Sequence, residues 1–164
     1  MSKIMLFGSS TISVIPTVVI QWLETYVQQG HSFIVGDCKG ADSAFHRALS
    51  SVGAQDVTVY CMESARSNDY DYKTKVFNTF YNEDAKEVTI KALDNSIEPF
   101  IISDVEKEMD IQHTRQWYEF KDRQMIQDCD AAVCVWDKES KGTFHAIQLL
   151  NIANKPCYTV TMQV

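Results

Sequence analysis

Short apolar runs alternate with helical patterns along this chain, and small glycine-containing turns join them. Lys3 to Phe7 is mostly apolar with little alternation, the pattern of a central strand buried on both faces. It ends at Gly8-Ser9-Ser10. Ser13 can cap the next helix and Pro16 sits in its first turn. That helix runs through Val19, Ile20, Leu23 and Val27 and stops at Gly30. Ser32 to Val35 reads as a second strand, which ends in Gly36-Asp37-Cys38-Lys39-Gly40-Ala41-Asp42. A helix through Ala44, Phe45, Ala48, Leu49 and Val52 follows, Gly53 closes it, and Val57 to Cys61 is a third strand. This β-α-β-α-β order with short links specifies a parallel, doubly wound sheet.

The same rhythm returns near the end of the chain. A helix reaching Asp122 leads into the small and β-branched run Ala131 to Val135, a buried strand. The run breaks at Trp136-Asp137 into the polar loop Ser140-Lys141-Gly142-Thr143, which opens a helix through Phe144, Ile147, Leu149 and Leu150. Lys155-Pro156 marks a turn before a last strand, Cys157 to Thr161. The expected architecture is a Rossmann-like, three-layer α/β domain with a mostly parallel sheet of about five strands.

Glu63 to Gln116 interrupts the pattern. It is polar and low in Gly and Pro, with recurring aromatics at Tyr70, Tyr72, Phe77, Phe80 and Tyr81. Asn82 can cap a helix through Ala85, Val88, Ala92 and Leu93. Ile97 to Ile102 is a short strand or an extended link, Asp104 can cap a further helical piece, and the helix reaching Asp122 starts near His113. This region has too few apolar residues for its own core. It reads as a helical insertion between strands three and four, an elaboration or lid on a single domain spanning residues 1–164.

Charge and cysteine usage narrow the function. The formal net charge of −7 opposes non-specific nucleic-acid binding through a basic surface. Five cysteines, an odd number with no CxxC pair, read as reduced thiols and give no metal-ligand spacing. No apolar run is long enough to cross a membrane or serve as a signal peptide. The expectation is a cytoplasmic protein without a resident cofactor or metal, with a homo-oligomer left open.

Three polar loops leave the carboxyl ends of apparent strands: Gly8-Ser9-Ser10, Gly36 to Asp42, and Asp137 to Thr143. In a parallel sheet those ends share one edge, where ligands bind at the switch in strand order. Gly142-Thr143 at a helix start offers unpaired backbone N–H groups and the positive end of the macrodipole to an anion. The loops holding Gly36 to Asp42 and Gly142 are therefore expected to share a crevice. Lys39 and Lys141 flank glycines where a phosphate would want a cation. Trp136 can stack on a base or pack at the sheet edge. Asp37 is a turn former or a ligand contact, and Asp42 an N-cap or a ribose contact. His145, just inside the last helix, is a general base or a plain surface histidine.

Taken in order, Gly8-Ser9-Ser10, the G-D-C-K-G-A-D run at Gly36 to Asp42, Arg123 with Met125 before the D-A-A-V-C-V-W strand, and K-G-T at a helix start resemble the SLOG superfamily. These Rossmann-like domains include the lonely-guy phosphoribohydrolases and sensors of nucleotide-derived messengers. The resemblance covers residues 3–61 and about 120–160, and not the middle region. It implies a nucleotide or nucleotide-derived, ADP-ribose-like small molecule held over the sheet edge. Its phosphate would meet Gly142 and Thr143, with Arg123, which matches the family's arginine on the preceding helix, close by. The hydrolytic members and the related nucleoside deoxyribosyltransferases carry a glutamate where this helix reads Phe144-His145-Ala146. The resemblance therefore implies a sensor or sequestering protein. The alternatives are an N-glycoside hydrolase or transferase using Asp137, Glu139 or Asp37, and a non-catalytic interaction module. Arg123 can instead pair with Asp122, Asp128 or Glu119 on a solvated helix face.

Overall fold

The computed structural model describes residues 1–62, 87–93 and 121–163. Its strands are β1 (Lys3–Gly8), β2 (Ser32–Val35), β3 (Asp56–Met62), β4 (Glu87–Leu93), β5 (Ala131–Trp136) and β6 (Cys157–Thr161). The helices are α1 (Thr17–Gln28), α2 (Ala41–Ser51), α3 (121–128) and α4 (Lys141–Ile152). The six strands form one sheet in the order β4-β3-β2-β1-β5-β6, and every adjacent pair is parallel. The chain steps outward from β1 through β4, then returns to β5 on the other side of β1. The strand order therefore reverses between β1 and β5, where the carboxyl ends open a crevice.

Period-two burial builds the three layers. Ile4, Leu6, Phe33, Val35, Val57, Val59, Val133 and Val135 pack with α1 through Val19 and Leu23, and with α2 through Ala44, Phe45, Ala48 and Leu49. The alternate residues Met5, Phe7, Ile34, Tyr60, Ala132 and Cys134 pack with Met125 and Ile126 of α3 and Ala146 and Leu150 of α4. The doubly wound α/β expectation holds, with six all-parallel strands in place of about five.

Three local expectations are corrected. Val88, Ala92 and Leu93 belong to a strand, β4, in register with β3 from Asp56↔Glu87 to Met62↔Leu93. Their helical spacing is overridden by the β-branched run Val88-Thr89-Ile90, which favours a pleated surface. The segment between β3 and β5 thus contributes an edge strand to the sheet. Ser13 does not cap α1; Pro16 is the N-cap residue, and the Ser13 carbonyl accepts a hydrogen bond from Arg47 Nη2 at 3.0 Å. Asp42 is not the N-cap of α2. Gly40 holds that position and Asp42 lies in the first turn. The expectations for Asn82, Ala85, Ile97 to Ile102, Asp104, the start near His113 and the aromatic lid lie outside the described residues. Among the described residues, no helix is long and apolar enough to cross a membrane.

Candidate ligand cleft

A cleft of about 190 Å³ lies at the carboxyl edge of β1, β2 and β5. Phe7, Gly8 and Ser10 line it from β1, Cys38, Lys39 and Asp42 from the β2 loop and α2, Lys121 and Asp122 from α3, and Ser140, Gly142, Thr143 and Ala146 from α4. The β2 and β5 loops share one crevice, as the strand order requires.

Ser9 ties these loops together and is completely buried. Its N–H donates to the Val135 carbonyl at 3.0 Å, and its own carbonyl accepts from the N–H groups of Ile12 and Ala41. Its Oγ accepts from the Asp137 N–H at 3.0 Å. Ser9 is thus a joint between the loops and is not among the residues that line the cleft. Gly40 closes the same joint. It has φ +83°, and a Cβ there would come within 2.2 Å of the Ser10 carbonyl oxygen. At Gly8 a Cβ would lie 2.2 Å from the Val135 carbonyl oxygen.

Asp137 clamps the β5 loop from outside the cleft. Its Oδ1 accepts from the N–H groups of Glu139 at 2.8 Å and Ser140 at 2.7 Å, and its Oδ2 from Thr11 Oγ1 at 2.7 Å. The Thr11 hydroxyl first, then the Ser140 and Glu139 N–H groups and Ser9, lower its pKa to about 2 against the opposing effect of burial. Trp136 is also engaged. Its Nε1–H donates to the Ser140 carbonyl at 3.1 Å, and its ring stacks on Phe144 with centroids 5.6 Å apart. It packs at the sheet edge and does not line the cleft.

α4 opens at the cleft with no acidic residue in its first turn and no side-chain cap. Ser140 Oγ is hydrogen bonded with Thr143 Oγ1 at 3.1 Å instead. A Cβ at Gly142 would meet nothing within 4 Å, so no neighbouring atom crowds the first turn of α4 at this cleft-lining residue. α2 contrasts with it, because Asp42 already places a carboxylate in its first turn, where the Cys38 N–H donates to Oδ2 at 3.0 Å.

A buried polar cluster forms the β2 side. Lys121 Nζ lies 3.2 Å from Asp37 Oδ1, with both side chains almost fully buried, and donates to Cys38 Sγ at 3.5 Å. Burial opposes the Lys121 ammonium, but Cys38, Asp37, Asp42 and Asp122 together raise its pKa well above the usual range. A Cβ at Gly36 would meet Asp42 Oδ2 at 2.5 Å and Lys121 Nζ at 2.9 Å, so this glycine makes room for the cluster. Beneath it, His46 Nε2 is 2.7 Å from the Gly36 carbonyl. A carbonyl only accepts, so Nε2 carries the proton. Burial lowers the His46 pKa to about 4, helped by Lys121 and Arg47 and opposed by the Gly36 bond and Asp37, which makes the ring neutral at pH 7.

The expected site residues divide accordingly. Gly8, Ser10, Lys39, Asp42, Ser140, Gly142 and Thr143 line the cleft. Ser9, Gly36, Asp37 and Gly40 build its walls from behind. Lys141 is exposed at the start of α4 but does not line the cleft, and neither does His145. Arg123 lies elsewhere, in a groove of about 400 Å³ with Ile126, Gln127, Leu149, Ala153 and Lys155. Asp137 and Glu139 border a separate hollow of about 680 Å³ with Lys138, Thr161, Met162 and Gln163. Lys121, Cys38 and Asp122 were not anticipated. Lys121 stands four and eight residues before Met125 and Cys129, which puts it on the buried stripe of α3, whereas Arg123 is two residues out of phase.

Among the described residues, no group of three or more His, Cys, Asp or Glu could hold a metal ion. Cys129, Cys134 and Cys157 are free thiols. No protein-family model, curated protein or solved structure matches the chain.

Proposed function

We propose that the cleft binds the phosphate of a nucleotide or nucleotide-derived, ADP-ribose-like ligand, and that the protein acts as a sensor or sequestering protein. The observation that carries this reading is the start of α4. Its first turn is uncapped by any side chain, free of acidic residues, and uncrowded at Gly142, which lines the crevice where the strand order reverses. The ordered resemblance to the SLOG superfamily supports the same ligand class. The cleft is smaller than the roughly 300–1,000 Å³ of drug-sized sites, which suits the phosphate end of such a ligand. Glycosidic cleavage is the weaker reading, because Asp37 and Asp137 are held in an ion pair and a hydrogen-bonded clamp.

A thermal-shift screen of nucleotides, NAD fragments and cyclic ADP-ribose-like messengers tests the proposal. A ligand at a hundred times its dissociation constant adds about 2.7 kcal/mol. For a chain of this size that raises Tm by roughly 5–10 °C. Gly142→Asp puts a carboxylate at a helix N-terminus, which the macrodipole tolerates, and should abolish the shift while the variant remains folded. An unchanged Tm across the screen would leave an interaction module as the better reading.

A further inference from the structure

We propose that the outer edge of β6 pairs with the same edge of a second copy of this chain, antiparallel about a two-fold axis at Thr159, so that two six-stranded sheets become one. Antiparallel pairing sends the two clefts to opposite margins of the joined sheet, so it leaves the ligand reading untouched.

β6 ends the sheet, and its register fixes which main-chain groups it leaves over. The Ala132 N–H donates to the Pro156 carbonyl and the Met162 N–H to the Trp136 carbonyl, both at 2.8 Å. Backbone groups of successive strand residues alternate between the two sides of the strand. Pro156, Tyr158, Val160 and Met162 therefore face β5, and Cys157, Thr159 and Thr161 turn N–H and C=O outward. Edge strands are commonly blunted by charged residues, Pro or a bulge. β4, at the other edge, carries Glu87 and Lys91. β6 reads Cys-Tyr-Thr-Val-Thr, with none of these, and runs in unbroken register with β5 from Ala132↔Cys157 to Trp136↔Thr161. Tyr158, Thr159 and Thr161 are exposed.

The edge is complementary to itself. A row of outward N–H and C=O groups calls for another strand. An antiparallel pair lets identical residues meet about a two-fold, the commonest symmetry of oligomers. A parallel ladder sets each outward residue against an inward one, as Ala132 and Cys157 are set here, and two identical strands cannot satisfy that symmetrically. With the axis at Thr159, Thr159 faces its own copy, Cys157 faces Thr161 and Tyr158 faces Val160. All three outward residues of each copy then hydrogen bond, roughly six bonds in all. Thr–Thr and aromatic–β-branched neighbours are favourable cross-strand pairs. The chain carries a formal net charge of −7, yet β6 has no charged residue, so the pairing brings no like charges face to face. Five residues a side make a small interface. That is the low end of the size range, below about 1,200 Å², which fits a reversible dimer and not an obligate one.

Gel filtration with light scattering tests the pairing on the chain without ligand. The parent should move from one chain mass to two as its concentration rises through the micromolar range. Thr159→Pro removes an outward N–H that β5 does not use, and Thr159→Lys sets like charges opposite each other at the axis. Each should raise the dimer dissociation constant by roughly tenfold to a hundredfold, with the far-ultraviolet dichroism of the single chain unchanged. Thr161→Cys reads the register. Opposed Cα atoms of a hydrogen-bonded pair lie about 5.5 Å apart, within disulfide reach, whereas residues 157 and 161 of one chain are roughly 13 Å apart. Oxidation by dissolved oxygen should therefore link two Thr161→Cys chains through Cys157, and the parent should stay unlinked. A parent that keeps one chain mass throughout would overturn the proposal and leave the edge to a strand of another protein. A doubled mass that Thr159→Lys leaves intact would place the contact elsewhere and overturn it too. Absence of the Thr161→Cys link in a chain that does dimerise would overturn the axis at Thr159.

Discussion

Asp137→Ala should loosen the joint between β1 and β5 without touching the core. The carboxylate accepts three hydrogen bonds, at 2.7, 2.7 and 2.8 Å, from Thr11 Oγ1 and the N–H groups of Ser140 and Glu139. Thr11 above all, with the two backbone N–H groups, lowers its pKa from 3.8 to about 2. At 1.36 kcal/mol per unit that displacement has a ceiling of roughly 2.5 kcal/mol. The group is partly exposed, and solvent screening reduces the figure to about 1 kcal/mol. For a depressed carboxylate the stability is fully present above the unfolded value near 3.8 and is lost as pH falls toward 2. Urea unfolding of parent and variant at pH 7 should therefore differ by about 1 kcal/mol, and roughly half of that difference should have gone by pH 3. Asp137→Asn keeps an acceptor for the two backbone N–H groups and should fall between them. Identical urea midpoints for parent and Asp137→Ala at pH 7 would refute the clamp. A difference that stays constant down to pH 3 would refute its electrostatic part.

Three further substitutions lie in or beside α2. Gly40→Ala should cost about 2–4 kcal/mol, from a positive φ and a Cβ driven into the Ser10 backbone; Gly53→Ala has a similar φ of +73° but open space around its Cβ, and should cost only about 1–2 kcal/mol by the same urea assay. His46 is neutral when folded and charges more easily when unfolded, so stability should decline as pH falls from 6.5 toward 4. His46→Gln, whose amide can still donate to the Gly36 carbonyl, should flatten that part of the pH profile; a parent and variant with superimposable profiles would show that His46 does not contribute to it.

The fold was legible because its strands are continuous apolar runs separated by glycine turns, a signal that needs no tertiary context. Ser32 to Val35, between Gly30 and Gly36, is legible with its observed bounds for that reason. β4 was not, because Ala85, Val88, Ala92 and Leu93 also satisfy a helical spacing, and an edge strand lacks the dense apolar run of a central one. At the site, the loops that carry backbone chemistry were legible. Their placement follows from strand order alone, as Gly142 and Asp42 show by lining one cleft. Side-chain roles were less so. Motif position singles out Arg123, while the helical phase set by Met125 and Cys129 turns Lys121 inward. Ser9 and Asp137 look like loop ligands in one dimension. In three dimensions their polar atoms are taken up by neighbouring loops.

The same geometry bears on turnover. Cleavage of an N-glycosidic bond builds positive charge on the sugar, which a nearby carboxylate must stabilise or attack. Glu139 borders the separate hollow and not the cleft. Asp137 lies there too, and a carboxylate with a pKa of about 2 is a weak base. Asp37 is buried against Lys121, and Asp42 holds the Cys38 N–H. The remaining carboxylate of the cleft among the described residues is Asp122, half-buried on α3. It acts on the Lys121 ammonium, so its charge is already committed to the cluster. The expected outcome is no release of free base from a panel of nucleoside monophosphates, measured by chromatography over many hours at high protein concentration. Release that Asp122→Asn abolishes, with the fold and methyl phosphate binding unchanged, would refute the binding-only reading and make Asp122 the catalytic carboxylate. Release that survives Asp122→Asn but falls with Asp37→Asn or Asp137→Asn would show that one of those hydrogen-bonded carboxylates leaves its partners when ligand arrives.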